Sequence, residues 1–497
     1  MSAAGRMMRL SLGQPWFKRS ADPTSRGMRA ETTPHAGHTG HAAQTRRARH
    51  DGRMTWRLGA LIVVLPLALA ACKAPQPKYS KNGAAPAITN PAVSDQDIVD
   101  AYYYLLGRAL IAKQEQADFG DNGFKWNKLV HRQPGGVNWA NPNLDVVYSE
   151  AWIGVDDKTC DILQIPKIKG RYYTFQVLNG WGETIANINE RTFPDHPYGK
   201  FALCLKGSGV TIARGIPRID LPSKTARALA RIELGSTPGE AIRLQHQITL
   251  HPSGPISPDD PPEVPAFGSN GLPGVELFDN ADMLLAGEPD INPGMDGIRA
   301  KLAAVRGVST AGASGRSRVA NVVDDKAVPA LPGLLKSLGA SANGWSHPRR
   351  TGNYDDDWMM RTLANLTGIW ANNNEEVVYF AAQHLDGGAT YSMTFPADAL
   401  PKTKTRYFWS VIAVDGKTYR VLPTPTKRYL INKQSHVKYD DDDGLTLVFA
   451  PKRPEGVPAA NWLPTVEGVD YNLTFRFYGP TKDVRDGEYF PPALSKQ

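Results

Sequence analysis

Residues 470–480, DYNLTFRFYGP, alternate between largely apolar and largely polar side chains. In an extended chain every second side chain points to the same side. One side of this stretch would present Tyr471, Leu473, Phe475 and Phe477, and the opposite side would present Asn472, Thr474, Arg476 and Tyr478. Because this alternation is typical of an antiparallel strand with one face in a core, the stretch predicts a half-buried strand of a β-sandwich.

Short runs of similar texture occur in both halves of the chain, separated by Gly, Pro, Asn and Asp. They cover residues 145–155, 170–180 and 200–207 in the first half, and 389–396, 406–415 and 444–451 in the second. Strands separated by turn residues in this way are typical of β-sandwiches. We therefore predict a mainly β fold with helical insertions, in which two β-sandwich domains are joined by a helical and loop region.

The predicted domains follow from where the strand-like runs stop. We expect an N-terminal sandwich domain at residues 94–252, a Pro/Gly-rich and helical connection at 253–350, and a C-terminal sandwich domain at 351–497. Ser94 and Asp97 form a capping pattern that predicts the start of a helix. Further helices are predicted at residues 222–234, 326–338 and 361–370.

The most apolar run lies far from the start of the chain, at residues 54–73, MTWRLGALIVVLPLALAACK. Arg57 precedes the apolar segment, and small residues lead into Cys72, which is the order of parts in a secretory signal. The apolar segment is shorter than the roughly 20 residues that a membrane-spanning helix needs. Its end, Leu-Ala-Ala-Cys, resembles the bacterial lipobox, so we predict a signal peptide at residues 54–71 and lipidation of Cys72.

This leader predicts where the protein is held. Residue 73 is Lys rather than Asp, so the usual signal for inner-membrane retention is missing. We therefore expect an outer-membrane lipid anchor facing the periplasm, with residues 72–93 as a tether to the folded domains. Residues 1–53 show no apolar period, and we interpret them as a non-native or disordered extension that precedes the true start at Met54.

The charge of the chain is concentrated in the same leader. The formal net charge is +8, but residues 1–53 carry a net charge of +7 and Arg57 adds one more. The chain from residue 73 onward is therefore neutral overall. A nucleic-acid partner is not expected, because such proteins carry a cationic footprint on the folded domain.

Cysteine and histidine provide little sign of a metal or redox centre. After Cys72 the chain has two cysteines, Cys160 and Cys204, which either form one disulfide or remain two buried thiols. The histidines beyond the leader share no ligand-like spacing, and the common catalytic motifs are missing from the sequence. We predict no metal site and no cofactor.

Candidate ligand-binding residues combine aromatic rings with amides and charged groups. These can stack on and hydrogen-bond a polar or glycan-like molecule, although Trp often fills a core and Asn and Asp often serve turns. In this hypothesis Trp409 and Trp462 stack, while Asp145 and the Asn amides orient the ligand. The candidate set is Asn143, Asp145, Tyr148, Arg171, Trp409, Asn461, Trp462 and Arg476.

Several of these residues lie in motifs that resemble a known bacterial family. Residues 141–155 (NPNLDVVYSEAWIGV) and 165–183 resemble the domain of unknown function 1254, and residues 407–415, 443–456 and 461–480 resemble the domain of unknown function 1214. The chain thus resembles bacterial proteins that pair these two modules. The resemblance implies two β-sandwiches of jelly-roll character, but a fold does not by itself supply a biochemical role.

Three functions remain open from the sequence. The first is a lipid-anchored cell-envelope protein that binds a polar or glycan-like ligand. The second is a periplasmic hydrolase in which Asp145 is the general acid or base, which would require a partner acid or a perturbed pKa. The third is an envelope scaffold without a small-molecule site. A pocket between the domains that is lined by aromatics and amides, without paired acids, would favour binding.

Overall fold

The computed structural model describes residues 93–120, 123–135, 141–264, 267, 271–336 and 339–497, which belong to one compact unit. The extension, the signal peptide, Cys72 and almost all of the tether lie outside these residues, so their predicted roles stay predictions. Within the described ranges, no helix combines the length and the apolar character needed to cross a membrane.

The first half of the described chain forms two stacked sheets. Sheet A has the order β1-β2-β8-β4-β5 and is antiparallel throughout, and sheet B has the order β7-β6-β3-β9. Their strands are β1 (Val130–His131), β2 (Val146–Gly154), β3 (Asp161–Ile165), β4 (Tyr173–Leu178), β5 (Thr184–Ile188), β6 (Gly199–Leu205), β7 (Arg218–Leu221), β8 (Thr225–Glu233) and β9 (Thr249–Pro252).

The second half repeats this arrangement with two further sheets. Sheet C has the order β10-β11-β12-β18-β14-β15, and sheet D has the order β17-β16-β13-β19. Their strands are β10 (Ala340–Ala342), β11 (Trp345–His347), β12 (Val377–Asp386), β13 (Tyr391–Phe395), β14 (Thr405–Asp415), β15 (Leu430–Asn432), β16 (Leu445–Ala450), β17 (Trp462–Pro464), β18 (Asp470–Pro480) and β19 (Ser495–Lys496).

The helices gather for the most part around an apolar core of their own. They are α1 (Asp95–Gly120), α2 (Pro238–Gln245), α3 (Glu276–Asp279), α4 (Ala281–Leu285), α5 (Asp296–Thr310), α6 (Ala313–Val322), α7 (Val328–Lys336), α8 (Trp358–Thr367) and α9 (Lys482–Arg485), and a π-helical turn at Val323–Ala327 joins α6 to α7. The predicted cap is present, because Ser94 N–H donates to Asp97 Oδ2 and Asp97 N–H donates to Ser94 Oγ.

Each pair of sheets encloses its own apolar core, which confirms a mainly β fold with two sandwiches and helical insertions. Alternate residues of sheet A, such as Val147 and Ile153, meet Leu163 and Phe201 of sheet B. Sheets C and D meet in the same way around Phe475. A third core gathers α1 with α3 to α8. The jelly-roll order of connections remains a prediction.

Sheets A and C pack against each other through the faces that point away from these cores. Tyr172 of the first sandwich lies edge-on to Tyr478 of β18, with ring centroids 4.9 Å apart, and its hydroxyl donates to Glu376. The opening stretch is therefore buried on both faces rather than half-buried. Its apolar face fills the C-terminal sandwich, and its polar face lies in the contact between the sandwiches.

One predicted helix is wrong, and three other elements pack with a different part of the chain than expected. Residues 225–233 of the helix predicted at 222–234 form β8, which is the central strand of sheet A. Helix α1, assigned to the N-terminal sandwich, shares its core with the helices of the connecting region. Strands β10 and β11 come from that connecting region and join sheet C.

Candidate functional site

A cavity of about 150 Å³ lies between sheets A and C. Tyr148, Leu229 and Arg231 of sheet A form one wall, and strands β12 and β18 of sheet C form the opposite wall. The end of α8 and the turn after it, residues 364–371, close one side. The cavity lies where the two sandwiches meet and therefore draws its wall from both domains.

The polar face of β18 supplies much of the sheet C wall. Asn472, Thr474, Arg476 and Tyr478 all line the cavity. They share a face because alternate residues of a strand point the same way. Strand β12 pairs alongside, and its Tyr379 lies directly opposite Arg476 in the antiparallel register. The polar residues of the alternating stretch thus form part of one wall of the cavity.

Arg476 is the charged group of this wall. Its side chain is only 1% exposed. One terminal nitrogen, Nη2, donates to the backbone carbonyl of Asn141 at 2.9 Å. The other, Nη1, is buried and has no hydrogen-bond partner among the described residues. An unpaired buried N–H loses its bond to water without replacement, so this donor is a costly group next to the cavity.

Arg231 adds a second guanidinium from the opposite wall. It is 5% exposed and donates through Nη1 to the Gln176 side-chain carbonyl and through Nη2 to the Trp370 backbone carbonyl. Its guanidinium also lies 5.8 Å from the centre of the Tyr148 ring. Both of these hydrogen-bond acceptors are neutral groups. The two walls therefore place two cations at one small cavity.

Asn143 lies at the edge of the cavity, and Asp145 follows it in the chain outside the lining. The amide of Asn143 donates to the Tyr478 hydroxyl at 2.6 Å while its carbonyl accepts from the backbone N–H of Asp145. Asp145 itself accepts a hydrogen bond from Asn432 at 2.6 Å. Burial raises the pKa of Asp145, while Asn432, the Ser410 hydroxyl and the charge of Arg476 favour its ionised form.

The hydroxyls of Tyr148 and Tyr478 at the cavity stay protonated. Burial raises the pKa of Tyr148 above its ordinary value and raises that of Tyr478 well above it. A protonated phenol both donates and accepts hydrogen bonds. None of the described residues that line the cavity is acidic. The lining thus offers hydrogen-bond donors and cations, together with apolar ring faces.

Three residues around the cavity have a left-handed backbone. The φ angles are 50° for Asn141, 64° for Trp370 and 56° for Tyr419. Asn tolerates this conformation, but for large side chains it is unusual and costs about 1–3 kcal/mol. The Asn141 N–H donates to the Tyr419 carbonyl at 2.9 Å, which ties two of these residues together. Such outliers are frequent at functional sites.

Four of the candidate residues from the sequence lie away from this cavity. Trp409 is buried in the C-terminal core and stacks on Phe475 at 5.7 Å. Asn461 holds the backbone of Lys438 and Thr446.

Trp462 is partly buried and donates to the Ala450 carbonyl. Arg171 donates to the Glu233 and Leu234 carbonyls, so it fixes the end of β8. The structure therefore does not bring Trp409 and Trp462 together with Asn143 at the cavity. Both tryptophans have structural roles.

Asn143, Tyr148 and Arg476 are the candidates that the structure brings together at the cavity. The sequence reading missed Arg231, Trp370, Tyr379 and Tyr419. Arg231 was missed because β8 was read as a helix, although Arg227, Leu229 and Arg231 alternate with alanines there. Recognising that alternation would have predicted that Arg231, like Arg476, lies on the face of its strand that points away from the sandwich core.

The two cysteines of the described chain are joined. Cys160 and Cys204 form a disulfide between the adjacent strands β3 and β6 of sheet B, which resolves the alternative in favour of pairing. Among the described residues, no group of three or more His, Cys, Asp or Glu side chains is arranged to hold a metal ion.

The fold and the site define a class of protein in which two β-sandwiches face each other across a polar-walled cavity. Two family models match this chain, and both carry descriptions as proteins of unknown function. DUF1254 matches residues 126–252, which contain sheets A and B, and DUF1214 matches residues 379–482, which contain most of sheets C and D. The chain thus carries both domains, as do the proteins that pair them, and the cavity lies between the two matched regions.

One solved structure supports the same fold, and a second was also found. The VPA0106 protein from Vibrio parahaemolyticus is similar over 81% of this chain and 99% of its own, with 18% identity and a TM-score of 0.58. A structure of an uncharacterized protein from Burkholderia cenocepacia aligns over 81% of this chain and 92% of its own, with 14% identity and a TM-score of 0.39. No match was found among curated proteins. The similarity to the Vibrio parahaemolyticus protein concerns the fold alone.

Proposed function

We propose that this protein binds a small organic molecule in the cavity between sheets A and C. The observation that supports the proposal is the lining, which combines aromatic rings, side-chain amides and two arginines and contains no acid among its described residues. Ligand sites are typically apolar clefts with a few placed polar groups, and they favour domain interfaces. The lining matches the binding alternative rather than a pair of catalytic acids.

The volume limits the size of the ligand. A cavity of about 150 Å³ corresponds to the engineered lysozyme cavity that holds benzene. Drug-sized ligands occupy about 300–1,000 Å³. We therefore narrow the expected ligand from a glycan-like chain to a molecule with a body about the size of one six-membered ring.

Ala381 offers a direct test because it lines the cavity from β12. We expect Ala381→Leu to fill part of the space and to abolish binding, while Ala381→Ser at the same position keeps the space open. The measurement is a thermal-shift screen of ring-sized fragments against both variants and the unchanged protein. A ligand at 100 times its Kd stabilises the folded state by about 2.7 kcal/mol.

The pattern of shifts decides this proposal. Fragments that stabilise the unchanged protein and Ala381→Ser but fail to stabilise Ala381→Leu support a site in this cavity. Fragments that stabilise all three proteins equally bind elsewhere and contradict it. A screen in which no fragment stabilises the unchanged protein also counts against the proposal.

We also propose that Cys72 anchors the protein in the outer membrane, facing the periplasm. The support is the signal-like segment before it and the lipobox-like Leu-Ala-Ala-Cys end. Three acyl chains, as in bacterial lipoproteins that this segment resembles, would hold the protein stably, because two or more chains suffice. In the native cell, Cys72→Ala should move the protein from the membrane fraction to a soluble one. Membrane association that persists in this variant would contradict the proposal.

A further inference from the structure

The described lining of the cavity carries two cations and no acid. Arg231 and Arg476 contribute two guanidinium groups, and the described lining contributes no carboxylate. Asp145, which is not part of the lining, bonds to Asn432 and interacts with the charges of Arg476 and Glu233. Buried charges are stable when they are paired and hydrogen-bonded, so two neighbouring cations favour an anion in the space between them.

One donor of Arg476 also remains unpaired. The Nη1 group of Arg476 is fully buried, and no described residue accepts a hydrogen bond from it. The Nη2 group of the same guanidinium is already held by the Asn141 carbonyl, which fixes the plane of the side chain. Arginine presents its N–H groups in a rigid fork, and carboxylates match that geometry.

The remaining lining residues indicate which kind of group the rest of the ligand contains. Tyr148, Trp370, Tyr379 and Tyr478 offer ring surfaces, and Leu229 and Ile369 offer aliphatic ones. A flat apolar group buries well against such surfaces because aromatic pairs stack or meet edge to face. The amides of Asn472 and Gln383 leave room for one further polar substituent.

We propose that the ligand is a small carboxylic acid in its ionised form, with its carboxylate bound to Arg476 and its flat apolar body between the two sheets. This inference rests on the proposed function, since it names the chemistry of the molecule in the same cavity. A ring-sized acid fits the volume, and a single carboxylate satisfies the free Nη1 donor. Arg231 contributes the second positive charge from the opposite wall.

The test compares two probes that have the same shape and differ in charge. Benzoate and benzamide are titrated into the full chain at pH 7 by calorimetry. A hydrogen bond between charged groups is strong enough that we expect benzoate to bind about 10- to 100-fold more tightly than benzamide. Arg476→Met should remove this preference, and Arg476→Lys, which keeps the charge but not the fork, should retain part of it.

Arg171→Met is the matched control, because Arg171 lies outside the cavity and bonds to backbone carbonyls. It should leave the preference for benzoate unchanged, and circular dichroism confirms which variants are folded. If Arg476→Met does not fold, the comparison of the two probes on the unchanged protein still decides.

Three outcomes are distinct. Tighter binding of benzoate that depends on Arg476 supports the inference. Equal or tighter binding of benzamide overturns it, while small-molecule binding as such stands. If neither probe binds and the fragment screen finds no ligand, the proposed function fails, and this inference fails with it. If neither probe binds but the screen finds neutral ligands only, this inference alone is overturned.

Discussion

Arg476 illustrates how one residue can serve both the fold and the site. Its neighbours Phe475 and Phe477 point into the C-terminal core, so the strand cannot turn without exposing them. The guanidinium is therefore held on the opposite face, toward the first sandwich, where the Asn141 carbonyl fixes it. The sequence predicted this face correctly but not its burial, because burial depends on a second sheet about 330 residues earlier in the chain.

The tryptophans named from the sequence should behave as core residues. We expect Trp409→Ala to lower the free energy of unfolding by about 3–5 kcal/mol, because a large buried side chain stacked on Phe475 is lost. Trp462→Ala should lower it less, since Trp462 is only partly buried. Urea denaturation measures both. The affinity for benzoate should stay the same in each folded variant. A loss of affinity would indicate that these tryptophans contribute to ligand binding.

Asp161 should make stability depend on pH. This carboxyl is 0% exposed, and burial raises its pKa from the ordinary 3.8 to about 7, against smaller opposing effects of the Ile162 N–H and Lys128. A raised folded-state pKa stabilises the protein at low pH, and this contribution is lost as the pH rises from about 4 to about 7.

Asp161→Asn removes this titration. Above pH 7 the variant should therefore gain stability relative to the unchanged protein, by up to about 4 kcal/mol compared with the difference below pH 4. Asp157→Asn, at an exposed position nearby, serves as the control and should show no such trend. Unfolding curves of the three proteins between pH 4 and pH 8 provide the measurement. Parallel stability profiles for Asp161→Asn and the unchanged protein would contradict the prediction.

Strand β8 shows why one element was misread. Its sequence, TARALARIE, is rich in Ala, Arg and Leu, which are strong helix formers. In the fold, Ala226, Ala228 and Ala230 point into the first sandwich, where small side chains fit beneath sheet B. Partners on both sides, β2 and β4, satisfy its backbone hydrogen bonds. Pairing with the neighbouring strands thus outweighs the helix propensity of these residues. The alternation of side chains with a period of two residues is the sequence feature that indicates a strand.

Helix α1 offers a matched pair of glycines that tests the packing of the helices. A Cβ at Gly107 would lie 2.4 Å from Thr362 Oγ1 of α8, a hydroxyl that also donates to the Tyr103 carbonyl. We expect Gly107→Ala to lower the free energy of unfolding by about 1–3 kcal/mol, because the crowded helices must move apart.

Gly120, at the end of the same helix, is the control. A Cβ there meets nothing within 4 Å. Gly120→Ala should leave stability unchanged or raise it by up to about 1 kcal/mol, because alanine restricts the unfolded chain more than glycine does. Thermal and urea unfolding compare the two variants. Equal stability of both would mean that α1 and α8 do not pack as closely as the structure has them.

At the scale of the whole molecule, local patterns predicted the parts better than their arrangement. Strand alternation and turn residues were enough to expect two sandwiches, and the Ser94 capping pattern located the start of α1. The cavity was beyond such reasoning, because its walls are β2 and β8 on one side and β12 and β18 on the other. Contacts between the two domains leave no periodic signal in either one.

The same limit explains the mixed outcome for the candidate residues. Asn143 and Arg476 come together through the Asn143–Tyr478 hydrogen bond across the two sheets, which no sequence spacing encodes. We predicted Trp409 to be a ligand-stacking residue because the neighbouring residues in the sequence do not distinguish an exposed tryptophan from a buried one. Its position on β14, opposite Phe477 in the register, assigns it to the core.

The central claim is that the space between sheets A and C holds a small organic acid. A crystal of the protein soaked in 4-bromobenzoate tests it most directly, because the anomalous signal of bromine locates the ligand without bias. The account predicts one peak between β8 and β18, with the carboxylate within hydrogen-bond distance of Arg476 Nη1. A peak elsewhere, or no peak in the cavity at a concentration that saturates binding in solution, would contradict it.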